Sequence, residues 1–410
     1  MARKRAKGEG TIRQRSDGRW EARYTTDGQR KSIMGNTQAD VKKKLDAVKY
    51  QIANGIYLEP QKVMFKTWFN AWLEEYKKGS IKPKTYQSYE QLNRLYLEPV
   101  IGKKLIKDIR AEHIQKLYND MIKKGLSAQT VERTHALLHS ALSQAIKNDL
   151  IIRNVSELTT LPKGTKKEIR VLTREEQTKF IKAIKGERYE LVFRLILSTG
   201  LRVGEALALR WKDIDFTDGT IRINQNIGRI VDFDDNKKSK LMYGTPKTEK
   251  GKRSIPLLTD ITSRVKELQR LQKVERLKAG DIWQDMGKIQ AQGEKWKDND
   301  LIFRTELGKP LEAGNLKRII IKAIDKIQID EAELLEIPIE DVPKVKYFGM
   351  HALRHTFATR ALESGMQPKV LQEILGHSTI AMTLDVYAHV LPDTKKDSIN
   401  LLQELYSNMN

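Results

Sequence analysis

Residues 11 to 33, TIRQRSDGRWEARYTTDGQRKSI, alternate apolar and polar with a period of two and break at SDG and TDG. Alternation of that kind buries one face of a pleated strand, so it predicts a small three-stranded antiparallel sheet. Trp20, Ala22 and Tyr24 fall on one face and Arg19, Glu21 and Arg23 on the other, with Arg13 and Arg15 of the first strand joining the arginine face. At Thr37 the period changes. Thr37 caps a helix with Asp40 three residues on, and Val41, Leu45, Val48 and Ile52 then recur at helical spacing. The chain therefore opens with a sheet-plus-helix module over residues 1–55, whose basic face suits the DNA major groove.

From 64 the pattern turns fully helical. KTWFNAWLEEYKK, PKTYQSYEQLNRLYLEPVI, RAEHIQKLYNDMIKKG and SAQTVERTHALLHSALSQAIKNDLI are joined by short connections, which predicts one four-helix domain over residues 64–155. Lys82, Lys84, Lys103 and Lys104 lie at its joints, and Lys82 and Lys84 are candidate phosphate contacts. ELTTLPKGTKKEIRVLT, polar, basic and carrying Pro and Gly, then reads as an interdomain linker. A third domain, α+β, spans 170–410. It opens with a capping box at Thr173 and Glu176, followed by the apolar helix YELVFRLILSTG. GTIRI at 219–223, with GTPKTEK and KRSIPL around an EKGK turn, predicts short strands; helices resume near 260 and at 314–327. The stretches near 228–243, 278–299 and 328–346 read as insertions. The whole is mainly α with small β-sheets.

Charge points to the partner. The chain of 410 residues carries 75 Lys plus Arg against 53 Asp plus Glu, a formal +22 with a pI near 9.7. Such an excess suits a polyanion, above all nucleic acid, where counterion release rewards distributed cations. There is no cysteine and only 7 histidines, so neither disulfides nor a metal site is expected. No run approaches the roughly 20 apolar residues of a membrane span, and MARKRAKGEG lacks the apolar core of a secretion signal. The expectation is a cytoplasmic protein.

Four features of the third domain carry chemistry. Arg202 stands in STGLRVGEALALRW, after a glycine break and at a helix start. His351 and Arg354 in FGMHALRHTF lie three apart, on one face of a helix. His377 follows the glycine that ends LQEILG, and Tyr387 in MTLDVYAHV sits ten residues further on a short helix. In this order, and with this spacing, the chain resembles the tyrosine recombinases, specifically the integrases of temperate phages and integrative conjugative elements. Their signature is an Arg in a TGLR-x-G-E segment, a His-x-x-Arg pair, LGH and a nucleophilic Tyr.

That resemblance covers nearly the whole chain and implies a site-specific recombinase with an arm-binding module, a helical core-binding domain of SAM-like type and a catalytic domain. It implies Tyr387 as nucleophile, Arg202 and Arg354 as phosphate ligands, His351 as general base and His377 as a hydrogen-bond donor to the scissile phosphate. Lys247, in the PKT of TPKTEKGKRSIPL, is the implied general acid, with Lys250 and Lys252 as alternatives in the same stretch. His355 is left over and reads as a packing or supporting residue. No cofactor is implied. The implied partners are double-stranded attachment-site DNA, three further copies in a homotetramer, an excisionase and a host DNA-bending protein. Ile399, Leu402 and Leu405 at helical spacing in the last residues suggest a helix that docks on a neighbouring subunit. A relaxing type IB topoisomerase shares the nucleophile and arginines, and a non-enzymatic regulator would share the scaffold.

Overall fold

The computed structural model describes residues 11–26, 29–53, 62–164, 170–231, 239–244, 251–283 and 300–387. The chain separates into two compact units, Met1–Thr165 and Lys166–Asn410.

In the first unit β1 (Thr11–Gln14), β2 (Trp20–Thr26) and β3 (Gln29–Gly35) form one antiparallel sheet in the order β1-β2-β3. Helix α1 (Gln38–Ala53) covers one face, where Ala22 and Tyr24 meet Val41 and Leu45, with Trp20, Val48 and Ile52 at the margin. The Asp40 amide donates to Thr37 Oγ1 at 3.2 Å, the expected cap. On the other face the register sets Arg13 opposite Glu21, and Arg13 Nε and Arg23 Nη2 close on that carboxylate at 2.7 and 3.3 Å. The hydrogen bond from Arg13 holds the Glu21 carboxyl below its ordinary range, although the loss of solvent there acts against it. The arginine face is smaller than the alternation predicts. Arg15 lies past the end of β1 in the turn, and Arg19 is drawn to Asp17 at 2.7 Å within that same turn.

The helical part of this unit has a core of its own. Helix α2 (Phe65–Ala71) widens into a π-helical stretch, Trp72–Lys77; α3 (Pro83–Leu92) runs through a second, Asn93–Leu97, into α4 (Glu98–Ile101). Helices α5 (Ala111–Lys123) and α6 (Ala128–Lys147) complete the four-helix arrangement. Phe65, Phe69, Trp72, Leu97, Ile114, Tyr118 and Leu138 are fully enclosed at its centre, each side chain worth roughly 1.5–3 kcal/mol of burial. The buried indole of Trp68 donates to the Ala141 carbonyl at 3.0 Å. Lys82 and Lys84 are exposed at the start of α3. The first residues of the expected linker belong here, since the amide of Thr160 is held by Gln115 Oε1 at 2.8 Å.

The second unit opens as the capping box predicts: the Glu176 amide donates to Thr173 Oγ1 at 3.1 Å and the Thr173 amide to Glu176 Oε2 at 2.9 Å, starting α7 (Arg174–Ala183). The apolar α8 (Glu190–Thr199) follows, then the single-turn α9 (Val203–Ala206). Strands β4 (Ile214–Asp215) and β5 (Thr220–Ile223) pair with each other, and β6 (Asn226–Val231) pairs with β7 (Ser239–Gly244) in a separate two-stranded ribbon. Strand β8 (Arg253–Pro256) pairs with β5, Ile255 facing Ile221. Of the strands expected around EKGK, KRSIPL is found as β8, while GTPKTEK beyond Gly244 lies outside the described residues. Within the stretch read as an insertion near 228–243, the described residues belong to the paired ribbon of β6 and β7. Residues 245–250 lie outside the described residues.

Long helices α10 (Thr259–Ala279) and α11 (Ala313–Leu335) come next. Helix α11 continues eight residues beyond the expected 327, through part of the stretch read as an insertion, because Glu331 on its far end pairs with Lys179 of α7. The unit closes with α12 (Met350–Glu363), α13 (Pro368–Leu375) and α14 (Ala381–Tyr387). Helices α8 and α12 pack together, and Thr356 Oγ1 on α12 accepts the Leu172 amide at 3.0 Å. The expected helix in the last fifteen residues lies outside the described residues, as do residues 284–299.

Candidate active site

Three helix ends meet around α12. Helix α8 stops at Gly200, which adopts the left-handed φ of 65°. A side chain there would be strained and would also collide, since a Cβ would stand 2.4 Å from Phe357 and 2.5 Å from Leu375. That turn delivers Arg202 to the N-cap of α9. Glu205, three residues on, reaches back: its Oε2 accepts the Arg202 amide at 3.1 Å and its Oε1 accepts Arg202 Nη1 at 2.8 Å. The Glu205 carboxylate is 3% exposed. Burial alone would raise its pKa, but the hydrogen bond and charge of Arg253, with Arg202, reverse this and keep it ionised.

Arg354, 3% exposed, lies on α12 one turn after His351. Its Nη1 donates to the Gly200 carbonyl at 2.6 Å and its Nη2 to the Leu375 carbonyl at 2.9 Å. Each terminal nitrogen retains a second hydrogen, so the fork is positioned by backbone before any ligand arrives. Burial, followed by the neighbouring Arg202, brings its pKa down to about 9, which leaves it cationic at neutral pH. His351 stands in the first turn of α12 and is partly open to solvent, while Leu353, Arg354 and Thr356 beyond it are buried. Desolvation of its ring, then the charges of Arg354 and Arg202, lowers its pKa and favours the neutral base. His355 packs edge-on against His351 with ring centroids 4.8 Å apart, and burial pushes it down to about 4.

Helix α13 ends at Gly376, also left-handed at φ 63°, and the turn presents His377. Gln372 braces it from both sides, its carbonyl accepting the His377 amide at 3.1 Å and its amide nitrogen donating to the His377 carbonyl at 3.2 Å. The imidazole Nδ1 shares a hydrogen bond of 3.0 Å with the buried Thr383 hydroxyl of α14. Burial and the surrounding guanidiniums lower His377 to about 4, so it is neutral at physiological pH. Tyr387 is the last residue of α14, one turn beyond Thr383, and its side chain lies outside the described residues. Lys247 and Lys250 lie outside them too; Lys252 is exposed just before β8.

Arg202, Arg354, His351 and His377 are thus brought to one locality of the second unit, with three guanidiniums against one carboxylate. Such a cluster of guanidiniums can bind a phosphodiester and stabilise charge spreading over its oxygens. Two supporting groups escaped the sequence reading. Glu205 was legible in principle, being three residues from a helix start. Arg253 was not, because only the fold brings β8 beside α9. Among the described residues no cluster of three or more His, Cys, Asp or Glu is arranged to hold a metal.

Residues 170–393 match the family model described as the phage integrase family, and residues 64–122 match that of the phage integrase N-terminal SAM-like domain. A tyrosine recombinase XerC-like protein of Caldanaerobacter subterraneus subsp. tengcongensis is 30% identical over 389 residues, 92% of each chain. The transposase from transposon Tn916 of Enterococcus faecalis is 25% identical over 339 residues, 78% of this chain and 73% of its own. Among solved structures, the Tn1549 transposon integrase in complex with transposon right end DNA aligns with a TM-score of 0.65 at 24% identity, over 83% of this chain and 100% of its own. A lambda integrase tetramer bound to a Holliday junction aligns at 0.56 and 20% identity, over 92% and 94%. At those identities the two structures speak for the fold.

Proposed function

We infer the function from the premise that this chain belongs to the phage integrase family of tyrosine recombinases: it is a site-specific recombinase that breaks and rejoins DNA to integrate and excise a mobile element. The observation that best supports the assignment of roles is the convergence of Arg202, Arg354, His351 and His377, with the helix bearing Tyr387 tied to His377 through Thr383.

The chemistry follows from those positions. Arg202 and Arg354 take the non-bridging oxygens of the scissile phosphate, where charge grows in the transition state. His351, kept neutral by its surroundings, accepts the phenolic proton as Tyr387 Oη attacks phosphorus. In the tautomer that lets the Thr383 hydroxyl donate to Nδ1, the His377 proton resides on Nε2 and is donated to the phosphate. The bond to the 5′-oxygen breaks, its electron pair staying on that oxygen, which takes a proton from Lys247, or from Lys250 or Lys252 in the same stretch. A 3′-phosphotyrosyl link conserves the bond energy. Attack by a second 5′-hydroxyl reverses the step without a consumed cofactor.

The surrounding parts take their roles from this reading. Residues 1–55 bind arm-type DNA through Arg13 and Arg23, with Arg15 and Arg19 on the adjoining turn. Residues 64–155 grip core DNA with Lys82 and Lys84. Residues 170–410 carry out catalysis. Four copies assemble on attachment-site DNA, with the C-terminal helix docking between subunits, and an excisionase and a host DNA-bending protein set direction. No helix among the described residues is long and apolar enough to cross a membrane, which fits action in the cytoplasm. The test is a nicked suicide substrate resolved on a denaturing gel: the parent forms a covalent adduct, Tyr387→Phe binds the DNA and forms none. A Phe variant that still forms the adduct overturns the assignment.

A further inference from the structure

We propose that Arg253 is a positioning residue of the phosphate site, one that sets both the placement and the effective charge of Arg202. The inference rests on the reading of Arg202 as a phosphate ligand. Arg253 projects from the start of β8 and its side chain is 6% exposed. All three of its nitrogens are committed: Nη2 to Glu205 Oε2 at 2.9 Å, Nε to the Ile374 carbonyl at 2.5 Å, and Nη1 to the Gly251 carbonyl at 2.9 Å.

Two consequences follow. The first concerns charge. Glu205 is needed to hold Arg202 on the N-cap of α9, but a carboxylate bound to Arg202 alone would cancel the charge that a phosphate requires. Arg253 occupies the second carboxylate oxygen and supplies the compensating cation, so Arg202 is held without being neutralised. The second concerns placement. Ile374 and Leu375 are consecutive carbonyls at the end of α13, the negative pole of that helix; Arg253 takes one and Arg354 the other. The turn that presents His377 is therefore clamped by two guanidiniums arriving from β8 and α12. One of them also reaches the Arg202 helix. Arg253 thereby links the phosphate-binding arginine to the turn that carries His377.

The test compares single-turnover adduct formation on a suicide substrate with core-DNA affinity. Arg253→Gln is expected to slow cleavage on the order of 100-fold, the loss typical of one misplaced charge-stabilising donor, with DNA affinity within about threefold of the parent. Because Glu205 is then paired with Arg202 alone, adding Glu205→Gln to Arg253→Gln, which removes the cancelling charge but keeps a side-chain oxygen to accept from Arg202, should recover roughly tenfold or more of the lost rate. A purely structural role would instead make the double variant worse. If Arg253→Gln does not fold, Arg253→Lys carries the test: an ammonium cannot hold the carboxylate and the Ile374 carbonyl in the same fork, so cleavage should fall about tenfold with affinity intact. Cleavage at the parental rate in the folded variant, or no rescue in the double variant, overturns the proposal. A parent that forms no adduct overturns the functional reading instead, which keeps the two failures apart.

Discussion

Replacing Gly200 by alanine separates two costs that fall on one turn of the active site. The first is conformational. At φ 65° a residue with a Cβ carries about 1–2 kcal/mol of strain. The second is steric, because the new Cβ would stand 2.4 Å from Phe357 Cδ1 and 2.5 Å from Leu375 Cδ2, well inside contact distance. Relieving that overlap in a packed interior adds roughly 1–3 kcal/mol. Gly365 provides the comparison: its φ is 85°, yet nothing lies within 4 Å of the corresponding Cβ. Gly365→Ala should therefore cost about 1–2 kcal/mol and Gly200→Ala about 2–5 kcal/mol, read as shifts of the urea midpoint at unchanged slope. The steric part also reaches the chemistry. The carbonyls of Gly200 and Leu375 are both acceptors for Arg354, so moving them displaces a phosphate ligand, and cleavage should fall about tenfold or more in Gly200→Ala alone. Equal destabilisation by the two substitutions, or full cleavage by a destabilised Gly200→Ala, would refute the reasoning.

His355 and His377 are both lowered to about 4 by burial and nearby cations. Their folded pKa values lie below the unfolded value near 6.5, so the unfolded chain binds protons that the native site refuses. Stability is fully present above pH 6.5 and is lost as pH falls from there towards 4, by roughly 2–3 kcal/mol per histidine. Denaturant midpoints across that window should show the loss, and His355→Asn should flatten it; an unaltered slope refutes the coupling. Lys247→Ala should lose cleavage but recover it on a substrate whose leaving group is a 5′-bridging phosphorothiolate, which needs no proton. Failure of that rescue moves the general acid to Lys250 or Lys252. A protein beginning at Ile56 should still cleave core-type suicide substrate but fail to integrate long attachment DNA; integration at the level of the full chain would show that residues 1–55 are not an independent arm-binding module.

How far the sequence could be read is clearest residue by residue. Local rules settled the Thr37 and Thr173 caps, the α1 stripe of Val41 and Leu45, and the glycines that end α8 and α13, because each depends on neighbours within one turn. The order Arg202, His351, Arg354, His377, Tyr387 stands in the sequence itself, and its resemblance to the tyrosine recombinase signature is what supplied the roles proposed for those residues. Strand partners were not legible. The pairing of β8 with β5, some thirty residues earlier in the chain, is set by the tertiary fold, which the alternation of a single strand cannot specify. Helix α11 outran its predicted end because Lys179, 152 residues away in sequence, meets Glu331 on its far turn. Arg253 belongs to the same class. In the sequence it is one basic residue following a lysine-rich stretch, and only the fold, with β8 paired to β5, buries its side chain beside Glu205 and the Ile374 carbonyl, where an unpaired charge would be prohibitive and a paired one holds the site together.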